Sequence, residues 1–255
     1  LFGAATESPL LERVAKAIVN KGVRLGVLDR STGAIAVYDD LIARFGTATE
    51  PPLRAVIAQA LFDKGITLGA LGRSMDAIAV YDDLIARFGA ATAPPLREWV
   101  AQALFNKAVR LGAIDRSAEA IAVYNDLIAR FGTATGLPLR EVIAQALFNK
   151  GTTLGAFNRS TEAIAVYDDL IARFSAVTEL PLREQVAKAL FNKGIMLGAL
   201  GRGTEEIAVY NDLIARFGTA TEPPLREQVT KALVNKEVRL GAQRQRAVEK
   251  QLDSV

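Results

Sequence analysis

The chain has neither cysteine nor histidine among its 255 residues. Disulfide frameworks, thiolate and imidazole nucleophiles, histidine general bases and ordinary zinc sites are excluded before any motif is sought. Aromatic residues are few, with 11 Phe, 5 Tyr and one Trp. A large core must therefore rest on Leu, Ile, Val and Ala, a composition suited to helices. An excess of one charge is also missing: 31 basic against 28 acidic side chains leave a net charge of +3, weak support for a nucleic-acid partner. No uncharged apolar run approaches the roughly 18 residues of a membrane span, and nothing near Leu1 combines a charged start with a long apolar stretch and a cleavage site. These absences point to a soluble, cytoplasmic protein with no membrane partner. Leu1 opens the sequence in place of methionine, which suggests a piece of a longer chain.

What is present is repetition. The octapeptide Tyr-Asp/Asn-Asp-Leu-Ile-Ala-Arg-Phe occurs five times, from Tyr38, Tyr81, Tyr124, Tyr167 and Tyr210, always 43 residues apart. A constant interval means one structural unit copied in tandem. The register carries outward: Phe2-Gly3 matches Phe45-Gly46, and Val14 to Gly26 matches Ile57 to Gly69 and Val229 to Gly241. The chain thus holds six copies of the first half of the unit and five of the second.

Within one copy, Pro51 to Leu71 reads as a helix, because Leu53, Ile57, Ala60, Leu61, Leu68 and Leu71 recur along one face. The pair Pro51-Pro52 opens it, where a missing N–H costs nothing, and Thr49 is the nearest residue suited to an N-cap. The helix should stop at Gly72, or at Asp29, Asp115, Asn158 and Gly201 in the other copies, all tolerant of the left-handed conformation. Ser31, Ser74, Ser117 and Ser160 are then placed to cap a second helix through Ala77, Ile78, Tyr81, Leu84, Ile85 and Phe88, which Gly89 ends. Asp83 stands four residues before Arg87, as Asp40, Asp126, Asp169 and Asp212 do before Arg44, Arg130, Arg173 and Arg216. Such pairs support a helix by roughly 0.2–0.5 kcal/mol each.

A hairpin of this kind cannot bury its apolar surface alone, because Phe62 and Ile66 form a second apolar set off the main stripe. Neighbouring hairpins must stack. The expectation is an all-α, right-handed α-solenoid of about eleven helices, with residues 1–255 as one domain. After Gly241 the pattern fails: Gln243-Arg244-Gln245-Arg246 replaces the turn, so residues 242–255 read as a divergent cap or tail, helical to about Lys250 or frayed.

The run Leu61-x-x-Lys64-Gly65-x-x-Leu68 with Ala77 and Tyr81 resembles the tetratricopeptide repeat. Gly22, Gly65, Gly151 and Gly194, with Ala34, Ala77, Ala120 and Ala163, stand where that family packs its two helices closely. Three features depart from it. Ile18, Leu61, Leu104, Leu147, Leu190 and Leu233 replace a large aromatic, Lys21, Lys64 and Lys107 replace Leu, and Gly89 replaces a closing proline. The period of 43 exceeds the family's usual 34, so the chain resembles an extended variant of it.

The resemblance implies that the first helix of each hairpin lines a concave groove for an extended peptide or a partner's helix. One groove column is then Asn20, Asp63, Asn106, Asn149, Asn192 and Asn235; amides donate and accept at once, which suits a row of peptide groups. The next holds Val19, Phe62, Phe105, Phe148, Phe191 and Val234, apolar pockets beside polar anchors. The plainer readings are that the phenylalanines are core between repeats and that the asparagines bridge neighbouring units. Lys16, Gln59, Gln102, Gln145, Lys188 and Lys231 form a third, polar column, a solvated face or a site for acidic ligands. Trp99 shares its column with Arg13, Val56, Val142, Gln185 and Gln228, and is either a binding anchor or a cover for a connector.

Catalytic groups do not assemble. Asp39-Asp40, Asp82-Asp83 and Asp168-Asp169 point about 100° apart on a helix and recur once per hairpin, whereas an active site needs one asymmetric cluster. No cofactor is implied. The leading reading is a non-enzymatic protein-interaction scaffold; self-assembly through the array's ends comes second. Single-stranded RNA recognition comes third, disfavoured by groove columns that carry little basic charge.

Overall fold

A computed structural model describes residues 3–252, which form eleven α-helices with no strand among them. Phe2, whose match to Phe45 extends the repeat register, lies outside the described residues. The chain divides into two compact units, residues 1–134 and 135–255. Unit one holds α1 (Gly3–Val27), α2 (Ser31–Phe45), α3 (Pro51–Ala70), α4 (Ser74–Phe88), α5 (Pro94–Ala113) and α6 (Ser117–Phe131). Unit two holds α7 (Leu137–Ala156), α8 (Ser160–Phe174), α9 (Leu180–Ala199), α10 (Gly203–Phe217) and α11 (Pro223–Leu252). In both, each odd helix pairs with the even helix after it, the even helix packs on the next odd one, and consecutive odd helices of a unit touch. These are stacked antiparallel hairpins, the α-solenoid arrangement. No described helix is long and apolar enough to cross a membrane.

The helix boundaries follow local chemistry. Asp29, Gly72, Asp115, Asn158 and Gly201 all take the left-handed conformation, with φ of 55°, 73°, 61°, 57° and 72°. The N–H of the following arginine then reaches back to satisfy an open carbonyl, as Arg73 does to Leu68 at 3.0 Å. The serines behave differently from the sequence expectation. Ser31, Ser74, Ser117 and Ser160 are the first helical residues, and Arg30, Arg73, Arg116 and Arg159 occupy the cap position without a side-chain cap bond. The turn is so short that the Arg73 carbonyl already accepts the Ala77 N–H at 3.0 Å. The serine hydroxyl therefore comes one residue too late to reach the open N–H groups. Arg73, Arg116 and Arg159 instead span the first turn to an acid three residues on, Asp76, Glu119 and Glu162, and Arg202 does the same to Glu205 ahead of α10; Arg30 has Gly33 at that place. Thr49 is not a cap either: Glu50 holds that place in extended backbone. At the chain's two ends, α1 starts at Gly3, ahead of the proline at Pro9, and α11 continues past Lys250.

Close approach inside four of the five hairpins depends on glycine, and the α5–α6 hairpin has buried Ala108 at that place. A Cβ added at Gly22, Gly65 or Gly194 would lie 2.4 Å from a ring carbon of Tyr38, Tyr81 or Tyr210, and one at Gly151 would lie 2.5 Å from Tyr167. Ala34, Ala77, Ala120 and Ala163 complete that contact from the second helix and are fully buried. The last hairpin breaks the rule with Glu206, only 5% exposed, in the alanine's place. Its Oε2 lies 2.5 Å from Nε of Arg239 on α11. No aligned hydrogen bond reaches that oxygen, so the pair is held by charge. Between hairpins, Lys64 reaches Asp39 at 2.6 Å, Lys107 reaches Asp82 at 2.5 Å, and Lys193 reaches Asp168 at 2.5 Å. That is what lysine does where the family has leucine. The Asp–Arg pairs within second helices form at all five expected places.

Candidate functional site

An odd helix has three faces. One, with Leu61, Gly65 and Leu68 on α3, packs into its hairpin; a second, with Leu53 and Ile57, is buried against its neighbours. The third carries the columns of Gln59, Phe62 and Ile66, of which the first two are half-buried and the last is 43% exposed. The same face on α9 shows Lys188, Phe191 and Ile195, with Ile195 38% exposed. Val23 in the first unit and Val238 in the second hold the same position, four residues beyond the phenylalanine column, and are exposed, whereas α7 has Thr152 there. Only Ile66 of that column stood out in the sequence; the signal for the rest was its spacing from the phenylalanines.

Phe62, Phe105, Phe148 and Phe191 are all half-buried. Each lays one side on the tyrosine of its own hairpin, Tyr81, Tyr124, Tyr167 or Tyr210, with ring centroids 6.0–6.2 Å apart. They are thus partly core, and the remaining surface faces outward beside the aliphatic column. The ends of the column differ: Val19 is buried and Val234 exposed. Trp99 packs on Phe62, at 5.1 Å between ring centroids.

In the amide column, Asn20 is exposed, and Asp63, Asn106, Asn149, Asn192 and Asn235 are half-buried. Asn192 Nδ2 donates to the Tyr167 hydroxyl at 3.4 Å and Asn235 Nδ2 to that of Tyr210 at 3.2 Å, each tyrosine belonging to the preceding hairpin. Asn106 Nδ2 donates to the Gln102 carbonyl at 3.0 Å. Asn192 and Asn235 therefore bridge repeats as well as bordering the outward face. Burial pushes the Tyr167 and Tyr210 hydroxyls up from the ordinary phenol range, so both stay protonated at neutral pH.

Asp63 is the exception in this column. Burial pushes its carboxyl up to about 6, opposed by a hydrogen bond from the Gln59 side chain. Its Oδ2 is screened from water and has no hydrogen-bond partner. Tyr38, on the preceding hairpin, is pushed up to about 12 by burial and by the Asp63 charge. A cavity of about 400 Å³ at the outer side of α1 is lined by Asn20, Lys21 and Arg24. Another, of about 300 Å³ between α1 and α3, is lined by residues including Asp63, Val23, Val27 and Ile66.

The surface offers apolar contact area, amides and isolated charges, not a converging set of reactive groups. Among the described residues, no group of three or more carboxylates is placed to hold a metal ion.

The sequence profile of the tetratricopeptide repeat matches residues 62–135, 105–177 and 148–221, each match displaced by one repeat. No curated protein matches by sequence. Among solved structures, BtubC (BKLC) from P. vanneervenii is similar, with 15% identity, a TM-score of 0.65, and 86% of this chain and 87% of that one covered. A tetratricopeptide repeat protein from Parabacteroides merdae is also similar, at 14% identity and a TM-score of 0.57, covering 90% of this chain and 77% of its own. At these identities the likeness is one of fold.

Proposed function

Because the chain belongs to the tetratricopeptide repeat family, we propose that it is a scaffold whose odd helices present, within each compact unit, a groove for an extended segment or helix of a partner protein. Proteins of this family generally mediate protein–protein interaction, and their fold is typically a non-enzymatic scaffold. The observation that carries the reading is the half-buried phenylalanine column beside exposed Val23, Ile66, Ile195 and Val238. A row of aromatic faces held rigid by tyrosines, next to aliphatic side chains in water, costs little ordering entropy when a partner covers it. The amides of Asn20, Asn106, Asn149, Asn192 and Asn235 border it and supply donors and acceptors for a peptide backbone. Replacing Phe105, Asn106 and Phe148 together with alanine should abolish capture of peptides selected on the wild-type chain, with helicity by circular dichroism unchanged. Undiminished capture would remove the groove reading.

A second reading, self-association, is favoured by α1. Leu10 and Val14 are 62% and 42% exposed, where their counterparts on α3, Leu53 and Ile57, are 2% and 1% exposed. Burying such an edge against a second copy is favourable by about 25 cal/mol per Å² of apolar surface. Light scattering over a concentration series tests it. A mass that stays at one chain throughout rules it out.

A further inference from the structure

The gaps between consecutive odd helices are filled by the chain itself everywhere within the two units except one. Between α3 and α5, Arg110 lies over Gly69, with its Nη1 donating to the Gly69 carbonyl at 3.2 Å. Between α7 and α9, the Met196 sulfur would sit 2.9 Å from a Cβ built on Gly155. Between α9 and α11, Arg239 lies over Gly198 and reaches Glu206. Between α1 and α3 the corresponding residue is Thr67, and Gly26 beneath it has nothing within 4 Å. The result is the cavity of about 300 Å³. Its wall holds Asp63, the one acid in the amide column, with Oδ2 unpartnered. The nearest lysine in sequence, Lys64, is engaged by Asp39. Val23, Val27 and Ile66 on the rim are 41%, 80% and 43% exposed and can turn aside.

We propose that this cavity takes an alkyl chain ending in a cation, supplied by an arginine or lysine of the bound partner segment. The occupant would take the place that Arg110 and Arg239 fill from within in later repeats. Its stem covers Val23, Val27 and Ile66, and its charged head gives Asp63 Oδ2 the partner that oxygen lacks. The source of the cation rests on the groove reading above; the pocket itself does not.

The probe is n-butylguanidinium titrated into the full chain, followed by NMR of the Val and Ile methyl groups, with 1-butanol as the neutral control. Saturable shifts are expected at Val23, Val27 and Ile66, with 1-butanol, the Asp63→Asn variant and the Thr67→Arg variant each weaker by about tenfold or more. Asp63→Asn restores the residue type of the column, and circular dichroism checks that both variants fold. Absence of saturable shifts in the wild type, or undiminished binding by both variants, overturns the pocket. A parallel selection of displayed peptides separates the two readings. Enriched peptides carrying a basic residue that Asp63→Asn no longer selects support the proposal. If no peptide is enriched while butylguanidinium still binds, the groove reading and the partner source fall, and the pocket stands.

Discussion

The seam between α1 and α3 and the seam between α9 and α11 are built from the same columns, yet they differ in kind. In the later seam, Asn235 donates to Tyr210, Arg239 lies over Gly198, and Glu206 neutralises it in a buried pair. In the earlier one, Asp63 faces Tyr38 without a proton to donate when ionised, Thr67 is too short to cover Gly26, and a cavity remains. The repeat supplies the backbone at both places. The difference between the seams comes from two substitutions in each, so the array's variety resides where the copies disagree.

The largest effect should come from breaking the closed seam. Arg239→Ala leaves Glu206 charged and buried without compensation, at a cost of about 3–5 kcal/mol. Adding Glu206→Ala, which restores the residue of the other hairpins, should recover most of it. Thermal denaturation of the single and double variants measures both, and a single-variant loss below about 1 kcal/mol would mean the pair is open to water.

Next in size is Gly194→Val, which drives a branched side chain into the Tyr210 ring and should cost about 2–4 kcal/mol. Gly26→Ala, at the open seam, meets nothing, and should be neutral or stabilising by up to about 1 kcal/mol. Equal losses at the two glycines would contradict the contrast between a glycine pressed against its hairpin's tyrosine and one that faces open space.

Asp63→Asn sharpens the comparison through pH. The Asp63 carboxyl is raised from 3.8 to about 6 in the folded chain. Between those values the folded state holds a proton that the unfolded state has released, so Asp63 lowers stability as pH rises from about 4 through about 6, and the deficit persists above. At about 1.4 kcal/mol per pKa unit, the substitution should stabilise the chain by about 1–3 kcal/mol at pH 7, and change it little below pH 4. Urea titrations at several pH values check the sign; a variant less stable than wild type at pH 7 would contradict it. The smallest effect, below about 1 kcal/mol, is expected for Lys107→Ala, because its partner Asp82 is half in water.

Much of the fold was legible in the sequence because a helix stop and a hydrophobic stripe are local signals, and each recurs at a fixed interval. Gly72 and Asn158 in left-handed backbone needed no knowledge of distant residues, whereas the close approach at Gly65 was legible only through the family resemblance. The serines were misplaced by a single residue, the difference between an N-cap and the first helical position. Lys64 with Asp39, and Glu206 with Arg239, were invisible because their partners lie 25 and 33 residues apart on different helices. The columns of the outward face were legible from the resemblance. The ties of Asn192 and Asn235 to tyrosines were not, since they depend on how closely one hairpin sits against the next.

The most direct measurement is methyl NMR of the chain with a peptide selected on it. Shifts are expected at Ile66, Ile195 and Val238 on the outward face of the odd helices, and the Phe105, Asn106 and Phe148 variant should lose them. Shifts confined to the even helices, or to Leu10, Val14 and Leu233 at the ends, would contradict a groove on that face.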